Sequence, residues 1–183
     1  IASCLVGSEM CIRDSDTSGM ELSTVLPAMV FGPILEEDFG VSVGAILDMM
    51  NGKYPIVPNW DMGVVDVRDV ASLELLAMTK PEAAGKRFVC SAENMFMKDQ
   101  NEYLSELFPE SASKIPKRVA PNWLIKFLAL FLPALKMIAE GLGKERNMDS
   151  SQARNLLGWN PRSAKEAVKS AAESAKEFGL IED

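Results

Sequence analysis

The stretch Val64-Val65-Asp66-Val67-Arg68-Asp69-Val70-Ala71 decides the fold, because a β-rich apolar run passes directly into a helical pattern. Residues 64–67 predict a short buried strand. Asp69 is well placed to cap a helix whose inner face carries Leu73, Leu76 and Ala77. A strand followed at once by a helix is the repeating unit of alternating α/β folds.

The same alternation continues on both sides of this stretch. Towards the N-terminus, residues 22–31 predict a buried strand with a following loop, and residues 38–51 predict a helix capped by Asp38. Towards the C-terminus, residues 87–90 predict another buried strand and residues 98–108 a helix. The order predicts an α/β protein with a parallel sheet.

The C-terminal third predicts helices only. Residues 122–143 are the most apolar part of the chain, but the run of about thirteen apolar residues around Lys126 is shorter than the roughly twenty that a membrane span needs. This stretch therefore predicts a helix or a kinked helix pair over the core or a ligand pocket. Two more helices are predicted over 149–157 and 163–178, the second one Ala-rich and lying on the solvated surface.

Composition excludes several kinds of function. The chain has 183 residues, 48% of them hydrophobic, a formal charge of −7 and no histidine. An acidic balance without a basic run argues against binding nucleic acid through its phosphates. The absence of histidine removes Ser-His-Asp and Cys-His catalysis and argues against a protein-built zinc site, so no metal is predicted.

The first fifteen residues fit no ordinary N-terminal pattern, because Glu9 and Arg13 interrupt the apolar run that a signal peptide needs. Back-translation of residues 7–14 resembles the end of a transposase-based sequencing adapter. We interpret residues 1–15 as an adapter-derived artefact without a structural role, a natural extended N-terminus being the alternative. Residues 16–183 are then expected to be the C-terminal portion of a single domain. Of three cysteines only Cys90 lies in that portion, which favours a reduced, cytoplasmic protein.

Three motifs occur in sequence order: Pro27-Ala28-Met29-Val30-Phe31-Gly32-Pro33, Val65-Asp66-Val67-Arg68-Asp69-Val70-Ala71 and Leu157-Gly158-Trp159-Asn160-Pro161-Arg162. Through them the chain resembles the C-terminal half of an extended short-chain dehydrogenase/reductase. Within the NAD-dependent epimerase/dehydratase superfamily, it is similar to aldehyde reductases that resemble dihydroflavonol reductase. The resemblance implies the C-terminal part of a Rossmann-type doubly wound parallel sheet and a mostly helical substrate-binding lobe.

The first motif follows the carboxyl end of a strand, where ligands bind in open α/β sheets. The resemblance places this loop against the nicotinamide of NADP or NAD, which makes Pro27, Ala28 and Val30 candidate cofactor-binding residues. Met29 stands where many sugar-nucleotide relatives have asparagine, and a thioether cannot supply the same hydrogen bonds. Met29 is thus a candidate substrate-binding residue that favours a less polar substrate. An ordinary strand-ending loop is the structural alternative.

The other two motifs leave structural alternatives open. Arg68 is a candidate substrate-binding residue, but it could instead pair with Asp66. We expect structural roles for Asp66 and Asp69, and a role in packing and closure for the turn at 157–162. Cys90 is expected to be a small buried hydrophobe rather than a nucleophile.

Two parts of the family's machinery are missing from the chain. The family uses a Tyr-x-x-x-Lys pair, whereas Tyr54 and Tyr103 are followed four residues later by Pro58 and Leu107. No Gly-x-x-Gly-x-x-Gly turn is present to cradle a pyrophosphate. The resemblance therefore implies no catalytic residue in this chain. We expect the chain alone to be inactive and to fold poorly.

The implied parent activity is NAD(P)H-dependent reduction of a small or aromatic aldehyde or ketone. Its expected partner is that small carbonyl substrate, with no nucleic acid; a membrane is not the favoured partner, and a homodimer of the full-length protein is left open. Two alternatives are a sugar-nucleotide epimerase or dehydratase of the same superfamily, and a non-catalytic binding or membrane-associated protein that uses residues 123–135.

Overall fold

Strands and helices alternate through most of the computed structural model, which describes residues 21–36, 39–132 and 135–181. The segment 1–15 and the predicted cap Asp38 lie outside these residues. The elements are β1 (Thr24–Pro27), β2 (Met29–Phe31), α1 (Val41–Met50), β3 (Asp61–Asp66), α2 (Val67–Thr79), β4 (Arg87–Cys90), β5 (Glu93–Phe96), α3 (Met97–Leu107), α4 (Asn122–Leu128), α5 (Lys136–Gly141), α6 (Ser151–Leu157) and α7 (Ala164–Glu177).

The strands form two small sheets that meet at Ala28. β1 pairs in parallel with β4, and β2 pairs in parallel with β3. The predicted strand at 22–31 is therefore split, and its two halves have different partners. The predicted parallel pairing is confirmed, but β5 was not predicted and runs antiparallel to β3. Its sequence, Glu-Asn-Met-Phe, begins with two polar residues, which is why it resembled a loop.

The Ala-rich helix α7 buries its alanine face, so the expectation that its alanines mark a helix on the solvated surface is wrong for that face. Ala167, Ala171 and Ala175 are fully buried in the main core, which also contains Ile46 and Met50 of α1. Small side chains let the helix backbone approach the sheet closely, while the Lys and Glu residues of α7 face outwards. The alanines spaced four residues apart therefore form the face of α7 that packs against the core.

The helix α2 begins three residues earlier than expected. Its N-cap is Asp66, whose carboxylate accepts a hydrogen bond from the Arg68 backbone N–H at 2.9 Å, so the predicted cap Asp69 is wrong. β3 runs to Asp66 without a connecting residue, which moves the cap to the last residue of the strand. Leu73 is fully buried on the predicted inner face.

The apolar stretch at 122–143 contains the two short helices α4 and α5, as the predicted helix pair requires. Ile125 and Ala129 face inwards and are buried. Within the described part of the chain, every helix is too short or too polar to cross a membrane.

Candidate functional site

The carboxyl ends of β1 and β4 lie side by side. Pro27 is the register partner of Cys90, and the Ala28 N–H donates to the Cys90 carbonyl at 3.0 Å. Leu26 and Pro27 are exposed at this edge. Because β1 and β4 are parallel, their carboxyl ends define the side of the sheet where ligands bind in α/β folds.

Gly63 of β3 provides space for three side chains next to this edge. A Cβ atom at Gly63 would lie 3.0 Å from Ala28 Cβ, 2.8 Å from Ser91 Oγ and closer still to Met148 Sδ. A glycine inside a strand often marks such a close approach. A glycine directly beside the predicted strand is therefore the signal in the sequence that points to this site, whereas Ser91 and Met148 carry no such signal, and none of the three residues was predicted.

Ser91 contributes a buried hydroxyl directly after β4. The residue is 1% exposed, and its Oγ has no hydrogen-bond partner among the described residues. A buried polar atom without a partner is costly, and such groups often belong to sites completed by a ligand or another segment. Ser91 therefore marks the polar centre of the candidate site.

The predicted cofactor-binding and substrate-binding residues do not all lie at one site. Pro27 and Ala28 lie at the carboxyl edge of β1. Met29 and Val30 belong to β2, where they pair with Val64 and Val65 of β3. Met29 is half-buried against the main core and Val30 against the second hydrophobic cluster, which surrounds Phe88. Pro27 and Ala28 are thus the predicted residues best placed at the site.

Arg68 binds Asp66, which was one of its two predicted alternatives. Its Nε lies 2.8 Å from Asp66 Oδ1 and its Nη2 lies 2.6 Å from Oδ2. Burial raises the pKa of Asp66, but the hydrogen bonds from the Arg68 side chain and backbone outweigh it, so the pKa lies below its usual value. The pair is at the end of β2, since Asp66 is the register partner of Phe31.

A second polar cluster ties α2 to the turn before α7. The buried Asp69 carboxylate accepts hydrogen bonds from the Arg162 backbone N–H at 2.7 Å and from Arg162 Nη1 at 2.5 Å. Trp159 Nε1 donates to the Asp69 carbonyl at 2.9 Å. These contacts agree with the predicted role of the turn in packing and closure.

A cleft of about 880 Å³ opens beyond Met148. Its lining includes Phe96 and Met95 of β5 together with Asp61, whose buried carboxylate accepts hydrogen bonds from Asn94 Nδ2 at 2.8 Å and the Arg146 N–H at 2.7 Å. The described ranges contain no group of three or more Cys, Asp or Glu side chains arranged to hold a metal ion. The cleft therefore offers a mixed apolar and polar surface next to the candidate site.

Cys90 is buried and unreactive in this arrangement. Burial raises the pKa of its thiol to about 12, and the carboxylates of Asp69 and Glu74 add to the shift. The thiolate, which is the nucleophilic form, is therefore almost absent at neutral pH. This agrees with the predicted role of Cys90 as a small hydrophobe.

We expect Cys90 to react with Ellman's reagent at least roughly 100-fold more slowly than a free thiol in the folded chain. The measurement uses a Cys4→Ser, Cys11→Ser variant, so that Cys90 is the remaining thiol. The same variant in concentrated urea is the control and should react at the ordinary rate. Fast native labelling would show that Cys90 is an activated nucleophile instead.

Comparison with known proteins shows that the chain is similar to curated reductases. No family model matches the chain. NADPH-dependent methylglyoxal reductase GRE2 of Saccharomyces cerevisiae is 27% identical over 176 residues, which cover 93% of this chain and 47% of that protein. Cinnamoyl-CoA reductase 1 of Petunia hybrida is 32% identical over 106 residues, covering 58% of this chain and 32% of that protein. The chain spans about half or less of the length of these curated relatives.

Solved structures share the fold. The crystal structure of the yeast methylglyoxal/isovaleraldehyde reductase Gre2 complexed with NADPH superposes with a TM-score of 0.67 at 25% identity, over 94% of this chain and 48% of that one. A nucleoside-diphosphate-sugar epimerase from Pseudomonas aeruginosa gives a TM-score of 0.75 at 20% identity, over 98% of this chain and 56% of that one. The chain therefore has the Rossmann-type α/β fold of these proteins, with a parallel sheet and flanking helices.

Proposed function

We propose that this chain forms the nicotinamide-side loop and much of the substrate-binding lobe of an NADPH-dependent reductase of small or aromatic aldehydes and ketones. The observation that carries the proposal is the joint carboxyl edge of β1 and β4, with Pro27 exposed and the buried Ser91 hydroxyl next to this edge without a hydrogen-bond partner among residues 21–36, 39–132 and 135–181. Similarity to NADPH-dependent methylglyoxal reductase across 93% of the chain supports it.

The residues at this edge fit a nicotinamide. Proline removes its own N–H and stiffens the loop, leaving a flat apolar surface for a planar ring. The Ser91 hydroxyl, which lacks a partner in the described part of the chain, can donate to or accept from a carboxamide group that reaches it. When bound, the nicotinamide would supply a hydride, and Pro27 and Ala28 would orient the ring.

The cleft next to the site has an apolar side, and we propose that this side takes a substrate of low polarity, while the other nine lining residues of the cleft are polar or charged. Met95, Phe96 and Met148 line the cleft next to the site, and Met29 lies on the adjoining strand. These four side chains can pack against an apolar or aromatic group of the substrate. The Arg68 guanidinium forms an ion pair with Asp66 and is partly exposed. We therefore propose that only the solvent-exposed part of this guanidinium could contact a substrate.

We also propose that the 183 residues alone do not turn over substrate, because they contain no Tyr-x-x-x-Lys pair. The test is NADPH oxidation by the isolated chain with a panel of aliphatic and aromatic aldehydes. No turnover is expected. Turnover above the protein-free rate would contradict this part of the proposal.

A chimera tests the reductase function itself. Residues 21–183 would replace the aligned part of yeast methylglyoxal reductase GRE2, and the chimera should oxidise NADPH in the presence of an aldehyde. Pro27→Ala should raise the KM for NADPH roughly tenfold, because a loosened loop positions the nicotinamide less well. Pro109→Ala, at an exposed proline after α3, is the matched control and should leave the KM unchanged. A folded chimera that binds NADPH but reduces no aldehyde would refute the reductase function. A chimera that converts a sugar nucleotide would favour the epimerase alternative.

A further inference from the structure

Five large apolar side chains lie together on the outer face of α4 and the residues that follow it. They are Trp123, Phe127, Leu130, Phe131 and Leu132, with exposed fractions from 50% for Leu132 to 73% for Leu130. The rings of Phe127 and Phe131 touch edge to face, with centroids 5.5 Å apart. We call these five residues the aromatic patch. The stretch at 122–143 is predicted to lie over the core or a pocket, and in its first helix the buried residues are Ile125 and, just after it, Ala129.

The region around the aromatic patch has the opposite charge to the whole chain. Residues 111–139 contain five basic residues and no Asp or Glu, whereas the chain carries a formal charge of −7. Lys126 lies between Trp123 and Phe127 in the sequence and Lys136 follows Leu132, and both lysines are exposed. In the part of the chain that the structure describes, no carboxylate forms an ion pair with either lysine.

We propose that the aromatic patch docks on an anionic lipid surface. Exposed Trp, Phe and Leu side chains on a short helix and the turn after it, together with lysine, are the chemistry that inserts into the boundary between headgroups and acyl chains. The long lysine side chains reach the anionic headgroups while their stems stay with the apolar residues. The inference is independent of the proposed reductase function, because it uses none of the residues at the carboxyl edge of β1.

The charge distribution favours lipid over a neutral apolar partner. The rest of the surface is strongly acidic, so an anionic bilayer repels it and attracts the basic region. The chain is therefore oriented with the aromatic patch towards the membrane before any apolar contact forms. Attachment is peripheral, since none of the described helices is long and apolar enough to cross a bilayer.

Vesicle binding tests the proposal on the full chain. The probes are vesicles of phosphatidylcholine alone and of phosphatidylcholine with about 30% phosphatidylserine. Sedimentation should show binding to the anionic vesicles at least roughly tenfold stronger than to the neutral ones. Tryptophan emission should shift to shorter wavelength on binding, and the shift reports on Trp123 because Trp60 and Trp159 are buried. Equal binding to both vesicles, or no binding, overturns the proposal.

Matched variants distinguish binding through the aromatic patch from non-specific adsorption of any exposed apolar residues to vesicles. Phe127→Ser with Phe131→Ser should reduce anionic vesicle binding at least roughly tenfold, and Lys126→Glu with Lys136→Glu should remove the dependence on phosphatidylserine. The control is Leu75→Ser with Met78→Ser, two comparably exposed apolar residues on α2. All six positions are exposed, and thermal melts check that each variant folds like the parent. Equal loss in the control overturns the proposal, as does a patch variant that changes the oligomeric state without changing vesicle binding.

Discussion

Replacing Asp69 with alanine should lower the free energy of unfolding by about 3 kcal/mol. Asp69 is 4% exposed, and its carboxylate accepts both the backbone N–H and the guanidinium of Arg162. The substitution leaves the Arg162 N–H without its partner and the guanidinium without its buried counter-charge. Because these bonds join residues 93 positions apart, they hold the turn before α7 against α2.

A matched control uses the same arginine. Glu166 lies 3.4 Å from Arg162 Nε at an exposed position, and exposed ion pairs of this spacing contribute little. Glu166→Gln should therefore change the free energy of unfolding by less than about 0.5 kcal/mol. Urea unfolding followed by circular dichroism measures both variants. If Asp69→Ala and Glu166→Gln cost the same, the Asp69 cluster does not hold the turn.

Local patterns along the sequence predicted most of the fold. Val43, Ile46, Leu47 and Met50 are buried on one face of α1, and the helices α3, α6 and α7 lie within two residues of their predicted ends. Apolar periodicity and turn residues determine such elements locally, so no knowledge of distant contacts was needed.

Features that depend on distant packing were not predicted. The alanines of α7 face inwards because α1, α3 and β3 leave space for a helix without large side chains. The predicted strand is split at Ala28 because its two halves pair with different strands. The apolar pattern of one strand does not show which strands it will pair with. The same holds for β5, whose partner β3 lies about thirty residues earlier in the chain.

The candidate site was predicted in part for the same reason. Pro27 and Ala28 were identified from a motif at a strand end, and they lie at the shared edge with β4. Gly63, Ser91 and Met148 come from three distant segments, and only the fold brings them together around Ala28. Their chemistry is not distinctive in sequence, because a glycine, a serine and a methionine each have many ordinary uses.

Gly63→Ala should lower the free energy of unfolding by about 2–3 kcal/mol, because the added methyl group has no space. The new Cβ would lie closer to Met148 Sδ than any ordinary contact allows, 2.8 Å from Ser91 Oγ and 3.0 Å from Ala28 Cβ. The flexible Met148 side chain can move aside, but Ala28 cannot, since its N–H is bonded to the Cys90 carbonyl. The strain should therefore reach the carboxyl edge of β1.

Two further variants separate lack of space at Gly63 from a general effect of glycine replacement. Gly44→Ala is the control, because its Cβ would meet Phe39 at an ordinary 3.4 Å and alanine suits a helix interior. It should raise the free energy of unfolding by about 0.5–1 kcal/mol. Met148→Ala should recover part of the Gly63→Ala loss in the double variant, giving a coupling of about 1 kcal/mol in urea unfolding. Additive losses would show that Gly63 and Met148 do not share this space, and the candidate site would then extend no further than the edge formed by β1 and β4.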